Sequence, residues 1–257
     1  MKMMREGARG QMPGDDADDA GAFAESAGPG VRKAMREPMP ALFPRPDDVT
    51  DVAQAIGRDS FFLHAGLIDA WFIRRSDVLL VTFDNLGSIG EYEPPQPWLQ
   101  ARAAKGGFSI LGLIASQRDW YRNEDTPALI RALRDAGFFA GFRRVVFAGA
   151  SMGGFAALSL SALVPGAVVL AFSPQSTLAP GLVPFERRYP FARRKWDWQS
   201  AGCDAAQAVQ GASEVWLIYD PFIPEDRAHV RRIVAAAPPA SPARSALITS
   251  AIAQSGS

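Results

Sequence analysis

The sequence predicts an α/β domain built on a mostly parallel, doubly wound β-sheet. Two observations predict this class. From about residue 60 onward, short apolar runs bounded by turn residues alternate with segments of helical pattern. Several of the apolar runs, most clearly DVLLVTFDN, are rich in β-branched and aromatic residues. Such an alternation of strand and helix is typical of parallel sheets that carry helices on both faces.

The elements can be justified in chain order. The early apolar runs predict strands in SFFLHAG, AWFIRRS, DVLLVTFDN and FSILGLIAS. A helix is predicted next in EDTPALIRALRDAG, with Thr126 as its cap, Pro127 in its first turn and Gly137 at its end. The remaining elements are a buried strand, a helix and two further strands, predicted in RRVVFAGA, MGGFAALSLSALV, AVVLAFSPQ and SEVWLIYDP.

Length and composition restrict the function classes. A chain of 257 residues can bury one sizeable core, so we expect one domain with tails. Its formal net charge of zero gives no electrostatic case for nucleic-acid binding. The single cysteine, Cys203, excludes an internal disulfide framework. Neither a metal-ligand cluster nor a dinucleotide fingerprint is visible, so no cofactor and no metal are expected. Without a signal peptide or a membrane span, the expected location is cytoplasmic.

Changes in composition predict the domain boundaries. Residues 1–40 are rich in Gly, Ala, Asp, Glu and Pro and predict a disordered tail. Residues 41–235 predict the folded domain, with an inserted cap segment at about 176–212. Residues 236–257 form an atypical tail rich in Ala, Pro and Ser, in which ALITSAIA is a candidate last strand. This shift suggests an end that has been lost or altered, as by a frameshift in the coding sequence.

The segment Gly149-Ala150-Ser151-Met152-Gly153 matches the pattern G-x-S-x-G between a predicted strand and a predicted helix. A serine on such a tight turn is forced into strained backbone angles, so its neighbours must be small. The turn exposes the hydroxyl at the sheet edge, which predicts a nucleophile. The alternative is a glycine-rich turn for close packing, with Ser151 capping the helix.

At these residues the chain resembles the α/β-hydrolase superfamily, over about residues 60–235 and most specifically in FAGASMGGFAAL. The resemblance implies a sheet of the α/β-hydrolase type with a short cap insertion, and an oxyanion hole. The backbone N–H groups of Met152 and Leu86 would be its donors. Leu86 lies in the loop Asp84–Ser88, where many members have a His-Gly pair. The side chain of Asn85 is a second candidate donor, and a polar turn closing the strand is the alternative.

The resemblance also implies an acid and a base. Asp220, which follows a strand in an Asp-Pro pair, occupies the place of the acid, and Asp226 is the reserve candidate. The family's histidine would follow the last strand, but the chain has only two histidines, His64 and His229, and neither lies there. His229 is the candidate base, although a solvated surface histidine is its more ordinary role. His64 is expected to be half-buried on a strand.

The cap segment interleaves cations with aromatic rings: Arg187, Arg188, Arg193, Arg194 and Lys195 with Phe185, Tyr189, Phe191, Trp196 and Trp198. One interpretation is a lid that grips an anionic or sugar-bearing substrate, and a weaker one is nucleic-acid binding. The third is an amphipathic cap whose rings pack inward while its arginines face water.

The resulting functional expectation is a serine hydrolase that cleaves an acyl ester through an acyl-enzyme on Ser151. An acyltransferase is a close variant, in which another hydroxyl replaces water as the acceptor. The expected partner is a small-molecule or glycan acyl ester. The alternative is a catalytically inactive α/β-hydrolase-like protein that lacks the usual C-terminal histidine.

Overall fold

The computed structural model describes residues 37–236 and the backbone of a strand at 243–247. Most of the predicted N-terminal tail, 1–40, lies outside the described residues, and so does most of the predicted C-terminal tail. Two strands and one helix open the described part: β1 Met39–Pro40, β2 Asp48–Val49 and α1 Val52–Ala55. β1 pairs with β6 Tyr92–Glu93, so the last residues of the predicted tail belong to a small second sheet.

The main sheet has nine strands in the described residues, in the order β11-β10-β9-β8-β5-β7-β4-β3-β2. Its other strands are β3 Ser60–Ala65, β4 Ile68–Ile73, β5 Val78–Phe83, β7 Ser109–Ala115, β8 Arg144–Ala150, β9 Val168–Phe172, β10 Glu214–Tyr219 and β11 Ala243–Leu247. β4 runs antiparallel to both of its neighbours, and the other pairs are parallel. The α/β class and the mostly parallel sheet are therefore confirmed.

Both faces of this sheet are covered. Side chains along a strand point alternately to opposite faces, so Phe61 and Leu63 lie on one face and Phe62 on the other. Phe61 and Leu63 belong to the large core, whereas Phe62 packs with Trp71 and Ile114 in a second, smaller cluster. Two buried clusters on opposite faces are what a doubly wound sheet requires.

The helices connect the strands on these two faces. They are α2 Gln100–Gly106, α3 Asp125–Asp135, α4 Met152–Leu160, α5 Pro190–Lys195, α6 Ala205–Ala208 and α7 Pro224–Ala236. α4 packs against β8, β9 and β5, and α6 packs on α4. Every residue of α4 except Ser159 is buried, so this helix is apolar on all sides rather than amphipathic. Its position at the centre of the sheet follows from that composition.

Two local predictions need correction. Thr126 does not cap α3, because the side chain of Asn123 accepts hydrogen bonds from the Thr126 N–H and hydroxyl, each at 2.9 Å. The predicted end of α3 does hold, since Gly137 turns the chain with φ +78°. The last strand, β11, covers Ala243–Leu247 and so begins three residues before the predicted ALITSAIA. The remainder of that segment lies outside the described residues.

The cap segment is a well-packed connection rather than a separate layer. The Trp198 indole is buried, donates to the Ala192 carbonyl at 2.9 Å, and packs against the Phe155 ring with centroids 5.5 Å apart. This inward packing of a cap ring agrees with the amphipathic interpretation. Arg188 departs from that interpretation, because its half-buried guanidinium is paired with the buried carboxylates of Glu186 and Asp226.

No helix within the described part of the chain is both long enough and apolar enough to span a membrane.

Candidate functional site

Ser151 lies between β8 and α4 with φ +51° and ψ −116°, a conformation that L residues rarely adopt. Its side chain makes no helix-capping hydrogen bond, so the capping interpretation does not hold. The backbone is held in this conformation because the Ser151 N–H donates to the Phe172 carbonyl at 2.8 Å, extending the pairing of β8 with β9. The residue is half-buried and sits at the carboxyl edge of the parallel strands.

Two glycines make this turn sterically possible. A Cβ on Gly149 would lie 2.0 Å from the carbonyl oxygen of Gly153, far inside any tolerated contact. A Cβ on Gly153 would lie 2.6 Å from the carbonyl oxygen of Phe83 and 2.7 Å from that of Asp84. The start of α4 therefore rests directly on the end of β5. This contact brings the loop after β5 to the Ser151 turn.

The two backbone N–H groups predicted to form the oxyanion hole are unpaired among the described residues. Met152 is the first residue of α4, and neither its N–H group nor that of Leu86 donates a hydrogen bond to an acceptor among the described residues. Asn85 forms a tight polar turn, in which its side-chain oxygen accepts from the N–H groups of Gly87 at 2.8 Å and Ser88 at 3.1 Å. The polar-turn interpretation of this loop and the oxyanion interpretation are thus compatible, because the turn leaves the Leu86 amide unpaired.

A buried carboxyl group fixes the same loop. One Asp84 carboxyl oxygen accepts from the Ser88 hydroxyl at 2.9 Å, and the other from the Ala115 N–H at 3.0 Å. The Asp84 N–H donates to the Tyr121 hydroxyl at 2.6 Å, which donates in turn to the Leu113 carbonyl at 3.0 Å. Burial raises the pKa of Asp84 to about 7, although the Ala115 and Ser88 hydrogen bonds oppose the shift.

Neither histidine of the chain is bonded to Ser151. His229 is fully buried, so the expectation of a solvated surface residue is wrong. The His229 Nδ1 lies 3.1 Å from the Ser176 N–H nitrogen and 2.9 Å from the Ser176 hydroxyl, and its Nε2 lies 3.1 Å from a Glu186 carboxylate oxygen. A backbone N–H can only donate, so Nδ1 accepts and the ring hydrogen is on Nε2, facing Glu186. Both ring nitrogens of His229, the candidate base, are thus engaged by Ser176 and Glu186, and neither forms a hydrogen bond with Ser151.

His64 is also placed differently from the prediction. Its side chain is exposed rather than half-buried, and Nδ1 lies 2.6 Å from the Asp69 carboxylate. β3, which carries His64, is four strands away from β8. Since adjacent strands are about 4.8 Å apart, the two strands are separated by about 19 Å.

The candidate acids are likewise engaged elsewhere. Asp220 follows β10, and its carboxylate accepts the Phe222 N–H at 2.9 Å, a local turn of its own. Asp226 lies in the first turn of α7, and its carboxylate is 2.7 Å from a guanidinium nitrogen of Arg188. Neither carboxylate forms a hydrogen bond or an ion pair with a histidine in the described part of the chain.

One side chain that contacts Ser151, and two aromatic rings linked to it, were not recognised as site residues in the sequence. The Gln175 amide lies 3.4 Å from the Ser151 Oγ and accepts the Trp120 indole N–H at 3.1 Å. The Trp120 ring packs against the Tyr189 ring with centroids 5.1 Å apart. A usable signal for Gln175 existed, because the ends of neighbouring parallel strands meet at one edge and Gln175 follows β9. Nothing local marked Trp120 or singled out Tyr189 among the cap aromatics.

No protein-family model matches the sequence, and no curated protein matches it. Solved structures do match. Carboxyl esterase 2 from the fungus Tuber melanosporum is 15% identical with a TM-score of 0.53, over 93% of this chain and 89% of that chain. An esterase/lipase from an uncultured bacterium is 12% identical with a TM-score of 0.51, over 90% and 86%. The capsule O-acetyltransferase of Neisseria meningitidis serogroup A is 10% identical with a TM-score of 0.52, over 73% and 85%.

The chain has the α/β-hydrolase fold. Among the solved structures that this chain resembles, the same fold occurs in an esterase and in an O-acetyltransferase. Identities this low establish the fold alone, so the chemistry of this chain has to be argued from its own residues.

Proposed function

We propose that the protein is a serine acyl-ester hydrolase or acyltransferase in which Ser151 carries the acyl group. The observation that carries this proposal is the strained Ser151 backbone, φ +51° and ψ −116°, at the turn between β8 and α4. Holding a non-glycine residue in such a conformation costs on the order of 1–3 kcal/mol. Two glycines with no room for a Cβ support the turn. Strain of this kind is concentrated at functional sites, and here it presents a hydroxyl group.

The proposed reaction begins when the Ser151 Oγ attacks the carbonyl carbon of an ester. As that bond forms, negative charge develops on the carbonyl oxygen, where the N–H groups of Met152 and Leu86 would donate hydrogen bonds. One donor of this kind is typically worth about 10²–10³ in kcat. Collapse of the intermediate expels the alcohol and leaves the acyl group on Ser151. Water or another hydroxyl then accepts it, giving hydrolysis or transfer of a small-molecule or glycan ester.

The direct test is covalent labelling of the full chain by a fluorophosphonate probe, read by intact-protein mass. We expect one adduct on the wild-type protein and none on Ser151→Ala. Ser159→Ala is the matched control, since Ser159 lies on α4, the helix that follows Ser151, and its hydroxyl has no hydrogen-bond partner among the described residues. The control should label like the wild type. A folded wild-type protein that takes no probe would contradict the proposal.

A second candidate function is non-catalytic ligand binding by a chain that keeps the fold. The observation that favours it is the placement of both histidines of the chain, His64 and His229, in hydrogen bonds away from Ser151. A serine without a base is a weak nucleophile. The same labelling experiment separates the two candidates, because only an activated serine reacts with the probe.

A further inference from the structure

The Gln175 side chain reaches the reacting oxygen of the proposed site. Its Oε1 and its Nε2 each lie 3.4 Å from the Ser151 Oγ. Gln175 follows β9 and is 1% exposed, whereas Ser151 is half-buried at the carboxyl edge of the strands. Hydrogen bonds of catalytic groups are often long without substrate and shorten in the transition state. A buried, neutral amide is therefore the side chain placed to act on this hydroxyl.

Two neighbours fix which way the amide points. The Trp120 indole N–H can only donate, so the amide atom that it contacts at 3.1 Å is the oxygen, Oε1. The Ser173 carbonyl can only accept, so the amide atom 3.4 Å from it is the nitrogen, Nε2. These two contacts are independent of each other and require the same orientation. The hydrogen-bond network therefore assigns the oxygen and the nitrogen of the Gln175 amide.

Both anchors of the amide are held in place. Ser173 has φ +41°, a value that L residues adopt only under constraint, and its N–H donates to the Ile218 carbonyl of β10 at 2.7 Å. Trp120, the other anchor, is completely buried. Because neither anchor is free to move, we expect the amide to keep its position beside Ser151 when substrate binds.

The amide can pair with the Ser151 oxygen both as a hydroxyl and as an anion. Oε1 has two lone pairs, one for the Trp120 N–H and one for the Ser151 hydroxyl hydrogen. Nε2 has two hydrogens, one for the Ser173 carbonyl and one for the Ser151 Oγ. Once the hydroxyl hydrogen has left, Oγ can only accept, so an Nε2 hydrogen becomes its partner. Since both amide atoms lie at the same distance from Oγ, this change requires no movement of the side chain.

We propose that Gln175 is a catalytic residue that holds the Ser151 hydroxyl for attack and, through Nε2, stabilises negative charge on Oγ as the acyl bond forms. This inference rests on the proposed function. The amide gains and loses no proton in this role, so it adds no covalent step to the acylation of Ser151. A donor fixed in advance at the point where charge develops lowers the barrier without reorganisation of the site.

Replacing the amide by a carboxyl group separates this role from that of a base and from a purely structural one. Gln175→Glu keeps the size of the side chain and an oxygen for the Trp120 N–H. The protonated carboxyl can donate to the Ser151 Oγ as Nε2 does, whereas the ionised carboxylate has no hydrogen to donate and repels charge on Oγ. A buried glutamate ionises above its ordinary pKa of about 4.3. We therefore expect the ratio of the variant rate to the wild-type rate to fall as pH rises.

The experiment measures single-turnover acylation of the full chain by p-nitrophenyl acetate between pH 5 and pH 8, read as the intact mass of the acetyl-enzyme. We expect Gln175→Glu to react within about tenfold of the wild-type rate at pH 5 and about 10²-fold more slowly than the wild type at pH 8. Gln207→Glu is the matched control, because Gln207 is exposed on α6, and it should react like the wild type throughout.

A second variant removes both hydrogen-bonding atoms of the amide. Gln175→Met should lower the saturating acylation rate at pH 7 by about 10²-fold while leaving the half-saturating ester concentration unchanged, because the amide acts on the nucleophile. Thermal unfolding of both variants is measured alongside. If Gln175→Glu does not fold, an unchanged rate in Gln175→Met overturns the inference.

The remaining outcomes separate this inference from the proposed function. A rate ratio for Gln175→Glu that stays level with pH would mean that Gln175 has a structural role, and a ratio that rises would mean that Ser151 needs an acceptor at this position. Either result overturns the inference and leaves Ser151 acylation standing. A wild-type protein that neither p-nitrophenyl acetate nor the fluorophosphonate modifies would overturn the proposed function together with the inference.

Discussion

The buried carboxyl group of Asp84 should make the stability of the protein depend on pH in an unusual direction. Asp84 is 2% exposed, and burial raises its pKa from the ordinary 3.8 to about 7. In the unfolded chain the carboxyl loses its proton near pH 4, whereas in the folded protein it keeps the proton until about pH 7. Between these values the folded state binds more protons, so the free energy of unfolding falls as pH rises.

The size of this effect follows from the shift. Each pKa unit corresponds to about 1.4 kcal/mol, so a shift of about three units costs about 4 kcal/mol above pH 7. Asp84→Asn removes the titration while keeping both contacts, because the amide oxygen can accept from Ala115 and the amide nitrogen can donate to the Ser88 hydroxyl. We therefore expect the variant to gain stability over the wild type as pH rises from 4 to 8.

The assay is urea unfolding at several pH values between 4 and 8, for the wild type and for Asp84→Asn. Subtracting one curve from the other removes the groups that titrate equally in both proteins. Asp77→Asn controls for the loss of a negative charge, since Asp77 is an exposed carboxylate paired with Arg143 at the other end of β5. A difference between wild type and Asp84→Asn that stays constant across this pH range would refute the reasoning.

Two further predictions concern the turn and the ion network. Gly149→Ala should destabilise the protein by more than about 3 kcal/mol in thermal unfolding, because its Cβ meets backbone. Gly57→Ala, with open space around its Cβ, should cost only the left-handed strain of about 1–2 kcal/mol, and equal costs would contradict this steric argument. Glu186→Gln should cost about 3 kcal/mol at pH 7 in urea unfolding, since it leaves Arg188 partly unpaired. Burial acts to raise the pKa of Glu186, but hydrogen bonds from His229 and Arg188 outweigh it and hold the pKa at about 2. The contribution of Glu186 to the free energy of unfolding is therefore present above about pH 4.3 and is lost as pH falls toward 2. If Glu186→Gln lost the same stability at pH 2 as at pH 7, this prediction would be contradicted.

The nucleophile candidate was accessible from the sequence because its requirements are local. A tight strand-to-helix turn needs small residues at fixed positions, and the pattern around Ser151 supplies them within five residues. The strands were predictable for a similar reason, since buried strands need apolar residues over short, bounded stretches. The fold class then followed from the alternation of strands and helices.

The partners of Ser151 could not be found in the same way, because they come from distant segments. His229 was a candidate base in the sequence, but its ring reaches Ser176 and Glu186 through the packing of α7 against the cap. The Arg188 guanidinium pairs with the buried Asp226 carboxylate, which lies 38 residues away along the chain. No local pattern carries such pairings.

The sequence by itself determined that a parallel α/β sheet forms and that a serine stands on a strained turn at its edge, since both depend on residues that are neighbours in the chain. Only the tertiary structure decided which groups surround that serine. Strand order brings the ends of β5, β8 and β9 to one edge, where the Gln175 amide reaches the Ser151 hydroxyl. The physical reason is that burial and long-range hydrogen bonding, rather than residue type, decide whether a histidine, an acid or an amide meets the hydroxyl.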